Sequence, residues 1–318
     1  MKLATLKDGS RDGQLAVVSR DLTQAHFATG IATRLQQVLD DWNFVSPQLE
    51  DLYTALNHGK ARHAFAFDAR QCMAPLPRSA HWVQVGAYPD AAERVLRALG
   101  VEPPVTLREA PAVVAAAGDG LLGAHDEVDF PAAPTRRDIG PQLAVVTGDV
   151  AAGTPADRAL DGVRLVLLAN AWRGDDGDAA PPAAFAPVAV TPEELGEAWR
   201  AGKLALTVET RIDGRRFARL DAAAAMRWHF GRLIARVAAT RGLGAGAIVG
   251  CGTIGAKDSA DSADGAGCLA ERRAAEAAAG TEPTPWLATG ATVRVEAFTA
   301  DGSSPFGAIE QRVSEIGE

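Results

Sequence analysis

The sequence predicts a β-rich α+β fold in two unequal parts, and three observations carry that prediction. First, short apolar runs recur at strand length, at 143–147, 163–168, 247–250 and 292–298, with Gly, Pro and Asp clusters between them. Second, helix-period patterning is confined to a few segments, the clearest being Ile31, Leu35, Val38, Leu39 and Trp42 at three- and four-residue spacing. Third, Met73-Ala74-Pro75-Leu76-Pro77 reads as an extended linker. Each proline bars helix at its own position and disfavours it one residue earlier. The linker divides a small N-terminal domain, residues 1–75, from a larger one, residues 76–318.

Along the chain, residues 2–7 and 14–19 are β-prone runs around the turn formers of 8–13, a hairpin. After the helix at 31–42, a second helix is predicted over 46–56, with Ser46 as N-cap and Pro47 at its first position. The stretch 101–138 carries five prolines and a loose acidic group, Asp126, Glu127 and Asp129, and reads as mostly loop. A strand at 143–147, a helix at 154–160 capped by Thr154, and a strand at 163–168 follow. Thr191-Pro192-Glu193-Glu194 opens a helix by cap, proline and first-turn acids. Residues 204–212 alternate as a strand and lead into an Asp213-Gly214 hairpin turn. Asp221 is expected to cap a long helix through Arg241. Residues 255–267 are low in complexity and read as a loop, and the last strand signal falls at 307–313.

The 318 residues hold 32 basic and 40 acidic side chains, a net charge of −8. There is no basic surplus to neutralise phosphates, which argues against nucleic-acid partners and anionic lipid surfaces. No apolar stretch is long enough to span a membrane or to form a secretion signal. The three cysteines, Cys72, Cys251 and Cys268, form no C-x-x-C, so a reduced, cytoplasmic protein without a disulfide frame is expected.

Five segments in this order resemble the fumarylacetoacetate hydrolase family: LAVVTGD at 143–149, PVAVTPEEL at 187–195, LALTVETRIDG at 204–214, Gly250-Cys251-Gly252-Thr253, and GATVRV at 290–295. Residues 1–75 resemble the small N-terminal domain of its bacterial members. The resemblance implies a mixed β-roll with flanking helices, a homodimer, and a Mg2+, Mn2+ or Ca2+ ion. It also implies hydrolysis of carbon–carbon bonds in β-diketones and acylpyruvates, or decarboxylation and isomerisation of related oxo-acids.

The same resemblance assigns metal ligands and a base to particular positions, and this sequence departs from them. The Glu-x-Glu pair falls on Gly140-Pro141-Gln142, and the Asp that follows Asn falls on Ala171, so Gly140, Gln142 and Ala171 supply no carboxylate. The catalytic His position is Ala91, while Glu93 stands as the remnant of the His-Glu pair after Tyr88. The substrate-carboxylate lysine would fall in 178–182, which holds none. The turn Gly250, Cys251, Gly252 and Thr253 survives; in the family it offers a backbone N–H and a hydroxyl to substrate oxygens, and it is equally the corner any copy of the fold requires.

Other chemistry-bearing residues have plain readings beside sharp ones. Asp175, Asp176 and Asp178 form an acidic loop that would bind Mg2+ weakly. Cys251 lacks an evident base, and His58, His63 and His229 read as surface or packing histidines. The expectation is a degenerate family member, a catalytically impaired pseudoenzyme without cofactor. It would be homodimeric and would bind a small oxo-acid or a partner such as an active paralogue. The alternative is an active hydrolase or decarboxylase with Mg or Mn held by a rebuilt site drawn from Asp138, Gln142, Asp175 and Glu93.

Overall fold

The computed structural model describes residues 1–132, 136–174, 181–256 and 265–317. Among these, one eleven-stranded sheet runs in the order Phe65–Ala66, Gln24–Phe27, Gln14–Val18, Lys2–Leu6, Ala189–Val190, Val163–Asn170, Pro141–Thr147, Ala247–Gly250, Trp82–Val85, Val113–Ala116, with Ala184–Phe185 also pairing to Val163–Asn170. The N-terminal hairpin therefore extends the sheet of the larger part, through Lys2 opposite Val190 and Leu3 opposite Ala189. A second, five-stranded sheet joins Arg215–Asp221, Thr207–Ile212, Thr292–Phe298, Ile309–Glu315 and Val128–Phe130. Mixed sheets with flanking helices make this an α+β fold, as the sequence predicts.

The central strands are buried on both faces, which is why they read as unbroken apolar runs. Leu143, Val145, Val166 and Leu168 pack into one core cluster. Their neighbours Ala144, Val146, Leu165 and Leu167 pack into the other, together with Leu3, Leu15 and Val17. That second cluster is roofed by helices α1 (Leu35–Asp40) and α2 (Trp42–Asn57), which contribute Leu35, Val38, Leu49 and Tyr53.

Four sequence expectations are corrected. Helix α2 begins at Trp42, with Pro47 inside it, because Asp41 O already accepts from Val45 N at 3.0 Å. The long helix expected from Asp221 to Arg241 is only Phe230–Val237. Asp221 does accept from Ala223 N and Ala224 N, but Ala222 O is taken by the Tyr88 hydroxyl and Arg227 N by Ala87 O, so the helix does not propagate. The stretch 101–138 contributes two strands, Val113–Ala116 and Val128–Phe130, rather than loop alone. The Thr191-Pro192 start opens a 3-10 segment, Pro192–Ala198. Two further helices matter below: α3 (Pro89–Ala98) and, after the low-complexity stretch, α6 (Leu269–Ala279), which pack against each other.

Candidate functional site

One end of the large sheet collects the positions singled out by the sequence. Strands Pro141–Thr147 and Val163–Asn170 are antiparallel with Pro141 opposite Asn170, and Ala247–Gly250 lies on the other side of Pro141–Thr147. Beyond the last ladder pair, Ala171 N donates to Gly140 O, and Asp138 and Arg173 exchange both backbone bonds, each at 3.0 Å. Residues 138, 140, 142, 171, 173 and 250–253 are thus gathered at one corner. The corner turns at Gly252, whose φ of +72° suits glycine.

The structure fills this corner with side chains that satisfy one another. Gln142 is fully buried; its amide donates to Gln84 Oε1 at 3.1 Å, and its Oε1 accepts from Gly252 N at 3.1 Å. One backbone N–H of the Gly250–Thr253 turn is therefore bound to Gln142. Asn170 Oδ1 accepts from Gly140 N at 2.9 Å, while its Nδ2 is buried without a partner among the described residues. A Cβ at Gly140 would stand 2.6 Å from Ala171 O and 3.0 Å from Thr253 Oγ1, so no side chain fits there without movement.

Asp138 is buried and accepts from the backbone N–H groups of Ile139, Leu269 and Ala270 at 2.7, 2.7 and 2.9 Å. It holds the first turn of α6 onto the sheet corner. Burial pushes its carboxyl up, against the lowering by those three donors. As a ligand it would have to give up bonds that position α6. Asp175, with Asp176 and Asp178, lies outside the described residues.

Ala91 and Glu93 do not work as a pair. Residues two apart on a helix point to different faces. Glu93 meets Arg108 in a two-pronged pair at 2.5 and 2.8 Å, and this guanidinium holds its carboxyl below the usual range. Ala91 is buried, and a Cβ on Gly255 would collide with it. Glu271 of α6 lies beside Gly255, accepts from Gly267 N at 2.8 Å, and pairs with Arg94 at 2.5 Å. Arg94 is three residues from Ala91 and so shares its face. An Arg94–Glu271 pair thus lies next to the position of the expected histidine.

Sequence reasoning missed Arg94, Glu271 and Arg173. The signal for Arg94 was its three-residue spacing from Ala91. The signal for Arg173 was a cation placed two residues beyond Ala171, where the resemblance expects a ligand. Arg173 Nη2 donates to Thr253 Oγ1 at 2.6 Å, leaving the hydroxyl hydrogen of Thr253 available to another acceptor. Cys251 is fully buried against the Tyr88 hydroxyl, with its thiol pushed up to about 11 by desolvation. A thiol held protonated is a poor nucleophile. His58 closes the C-terminus of α2, His63 sits in a positive-φ turn, and His229 precedes the first turn of α5 (Phe230–Val237). None of these three is at the corner.

Among the described residues, the side chains at the corner do not fit a divalent cation. Mg2+ and Mn2+ require carboxylate and other oxygen ligands. The corner presents a guanidinium on Thr253, an unpartnered amide N–H2 on Asn170 and an amide at Gln142. Among the described residues no group of three His, Cys, Asp or Glu side chains is close enough to hold an ion.

Known proteins place the fold. Residues 1–78 match the family described as Fumarylacetoacetase N-terminal domain 2, and residues 80–314 match Fumarylacetoacetate (FAA) hydrolase C-terminal. Maleylpyruvate hydrolase from Sphingobium sp. SYK-6, solved in complex with manganese (II) ion and pyruvate, superposes with a TM-score of 0.67 at 15% identity over 99% of each chain. Fumarylacetoacetate hydrolase from the psychrophilic Exiguobacterium antarcticum gives a TM-score of 0.67 at 17% identity, again over 99% of each chain. For 2-hydroxyhepta-2,4-diene-1,7-dioate isomerase from Mycobacterium marinum the values are 0.60 and 15%, over 100% of each chain. No curated protein sequence matches the chain. No helix among the described residues is long and apolar enough to cross a membrane. The two matches in tandem, in the order of the two parts of the fold, place this chain in the fumarylacetoacetate hydrolase family.

Proposed function

We propose that this chain is a catalytically impaired member of the family that binds a small oxo-acid without a metal ion. The observation that carries the reading is Gln142. At a position where the family resemblance expects a carboxylate ligand, a neutral amide is buried and hydrogen-bonded at both ends, to Gln84 and to Gly252 N. A ligand carboxylate needs free lone pairs aimed at the ion, whereas this group is spent holding the glycine turn against the sheet. Arg173 adds a positive charge at the same corner, and it repels a cation while attracting an anion.

Without a metal there is no Lewis acid to polarise an oxo group and no metal-bound water. With Ala91 at the position where the family resemblance expects a histidine, the base expected there to activate water is absent. Binding is what the surviving groups can do. The Thr253 hydroxyl, the Asn170 amide and the Arg173 guanidinium are donors for carboxylate and carbonyl oxygens.

The test is a thermal-shift titration with MnCl2, then with Mn2+ plus oxalate, beside an assay of maleylpyruvate hydrolysis. A ligand at a hundredfold its dissociation constant adds about 2.7 kcal/mol, which moves a chain of this size by several degrees. The expected result is no shift with millimolar Mn2+ and no EDTA-sensitive turnover. A manganese shift enlarged by oxalate, or turnover abolished by EDTA, would overturn the proposal.

A further inference from the structure

A cavity of about 430 Å3 opens between α3, α6 and the turn at Arg173 and Gly174. Its apolar wall comes from Val95, Leu99, Ala274, Ala277 and Trp286. Its charged lining is Arg136, Asp138, Arg173 and Arg273. In a protein of net charge −8, three guanidinium groups facing one cavity is a local inversion of sign.

The carboxylate in the lining, Asp138, interacts with Arg173 and offsets one of the three positive charges, which leaves an excess of positive charge. Asp138 already accepts three backbone N–H bonds, from Ile139, Leu269 and Ala270. Among the described residues, neither Arg173 nor Arg273 has an ion-pair partner, whereas Arg94, Arg97 and Arg108 are paired to Glu271, Glu93 and Asp90. Arg173 is anchored through Nη2 on Thr253 Oγ1, and Arg273 through a bond to Thr284 O and its stacking at 4.5 Å over Trp286. Each anchor fixes one part of a planar fork and leaves the remaining N–H groups to another acceptor. Stacking on an indole also holds the guanidinium plane without consuming its in-plane donors.

We infer that this cavity is a metal-independent site for a carboxylate carried on an apolar body, with Arg173 and Arg273 binding the carboxylate and the Trp286–Leu99 wall taking the body. The volume is in the range of small-molecule sites, which are mostly apolar with a few convergent polar groups. Paired N–H donors match the two oxygens of a carboxylate. The inference deepens the metal-free reading and rests on it, since an ion at the corner would contend with Arg173 for the same oxygens.

The test is calorimetric titration of the full chain with phenylpyruvate in EDTA, against its methyl ester and inorganic phosphate. Phenylpyruvate is expected to bind and the ester not to. Arg173→Gln and Arg273→Gln are each expected to weaken binding by about tenfold or more, as loss of a charged hydrogen-bond pair does. Arg173→Lys and Arg273→Lys keep the charge and lose the fork; intermediate losses with unchanged melting temperature would show that a glutamine variant's defect is not misfolding. Binding that is indifferent to all four substitutions overturns the inference, as does phosphate displacing phenylpyruvate at equal concentration. No binding with or without Mn2+ overturns the arginine site and leaves the metal-free reading standing. Binding only in the presence of Mn2+ overturns both.

Discussion

Gln142→Glu restores, in one substitution, the carboxylate that the family resemblance expects, and the structure says what it costs. Gln142 is fully buried and makes two neutral hydrogen bonds, to Gln84 and to Gly252 N. A glutamate keeps the acceptor toward Gly252 but must be protonated to donate toward Gln84. Its carboxyl is then raised in the folded state, because ionisation would leave a buried charge without a counter-ion. Leaving a buried polar group unsatisfied costs about 1–3 kcal/mol, which corresponds to a rise of roughly one to two pH units at about 1.4 kcal/mol each. The sign follows. Below the unfolded glutamate value of about 4.3 both states are protonated and the variant loses little. Above it the unfolded chain releases a proton that the folded chain keeps, so stability falls with rising pH until the folded carboxyl ionises, and then levels off. Urea unfolding in EDTA, near pH 5 and near pH 8, reads this as a midpoint that drops relative to the parent at the higher pH with unchanged slope. Millimolar Mn2+ is expected to restore nothing, since positions 140 and 171 still offer no ligand and Arg173 remains. A variant as stable as the parent at both pH values, or one rescued by Mn2+, would refute the claim that this corner is closed and cation-excluding.

Three other substitutions or probes bear on the same corner. Gly140→Glu is expected to cost more than Gln142→Glu at either pH, because a Cβ there stands 2.6 Å from the Ala171 carbonyl; overpacking typically costs about 1–3 kcal/mol before any charge is counted, and an unchanged melting temperature would show that the turn relaxes freely. Asp138→Ala removes the acceptor of three backbone N–H groups, so a loss of about 2–4 kcal/mol with early fraying of α6 in hydrogen exchange is expected; protection in Leu269–Ala279 equal to the parent's would disprove its anchoring role. Burial pushes Cys251 up to about 11 and Cys72 up to about 12, and it raises Cys268 as well, so all three thiols stay protonated across neutral pH. A disulfide reagent such as DTNB should therefore react only as fast as the chain unfolds, and one rapidly labelled equivalent in the native protein would contradict this.

How much of this was legible in the sequence depended on what held each element in place. The strands Pro141–Thr147 and Val163–Asn170 could be read directly, since burial on both faces writes itself as an unbroken apolar run. The strand Val113–Ala116 could not. It is an edge strand with exposed valines between proline-rich segments, and only its pairing to Trp82–Val85 fixes it. Asp221 carried a genuine local signal, an acceptor for the next two N–H groups. Propagation was decided by Tyr88 and Ala87, more than a hundred residues away in sequence. At the candidate site, residue type alone shows that Gly140, Gln142 and Ala171 carry no carboxylate. What packs around them did not show, because Arg173, Arg94 and Glu271 are brought there only through the packing of α3, α6 and the sheet corner.

These side chains depend on one another, and the dependence ties the corner to helix α6. Helix α6 is held by Asp138, whose carboxylate sits two residues before Gly140. Docking α6 there brings Glu271 beside Gly255 and Arg94, against the face of α3 that carries Ala91. A histidine at 91 would have to share that space with the Arg94–Glu271 pair, and breaking a half-buried pair leaves a buried charge behind. The same docking places Arg273 over Trp286, in the lining of the cavity that Arg173 also lines. One helix therefore packs beside Ala91 and also lines the arginine-bearing cavity. Restoring single family residues should fail for this reason: Ala91→His meets a packed wall, Gly140→Glu meets the Ala171 carbonyl, and neither substitution moves α6. Moving α6 away from the corner would break the bonds that Leu269 N and Ala270 N donate to Asp138, and those two bonds oppose such a departure.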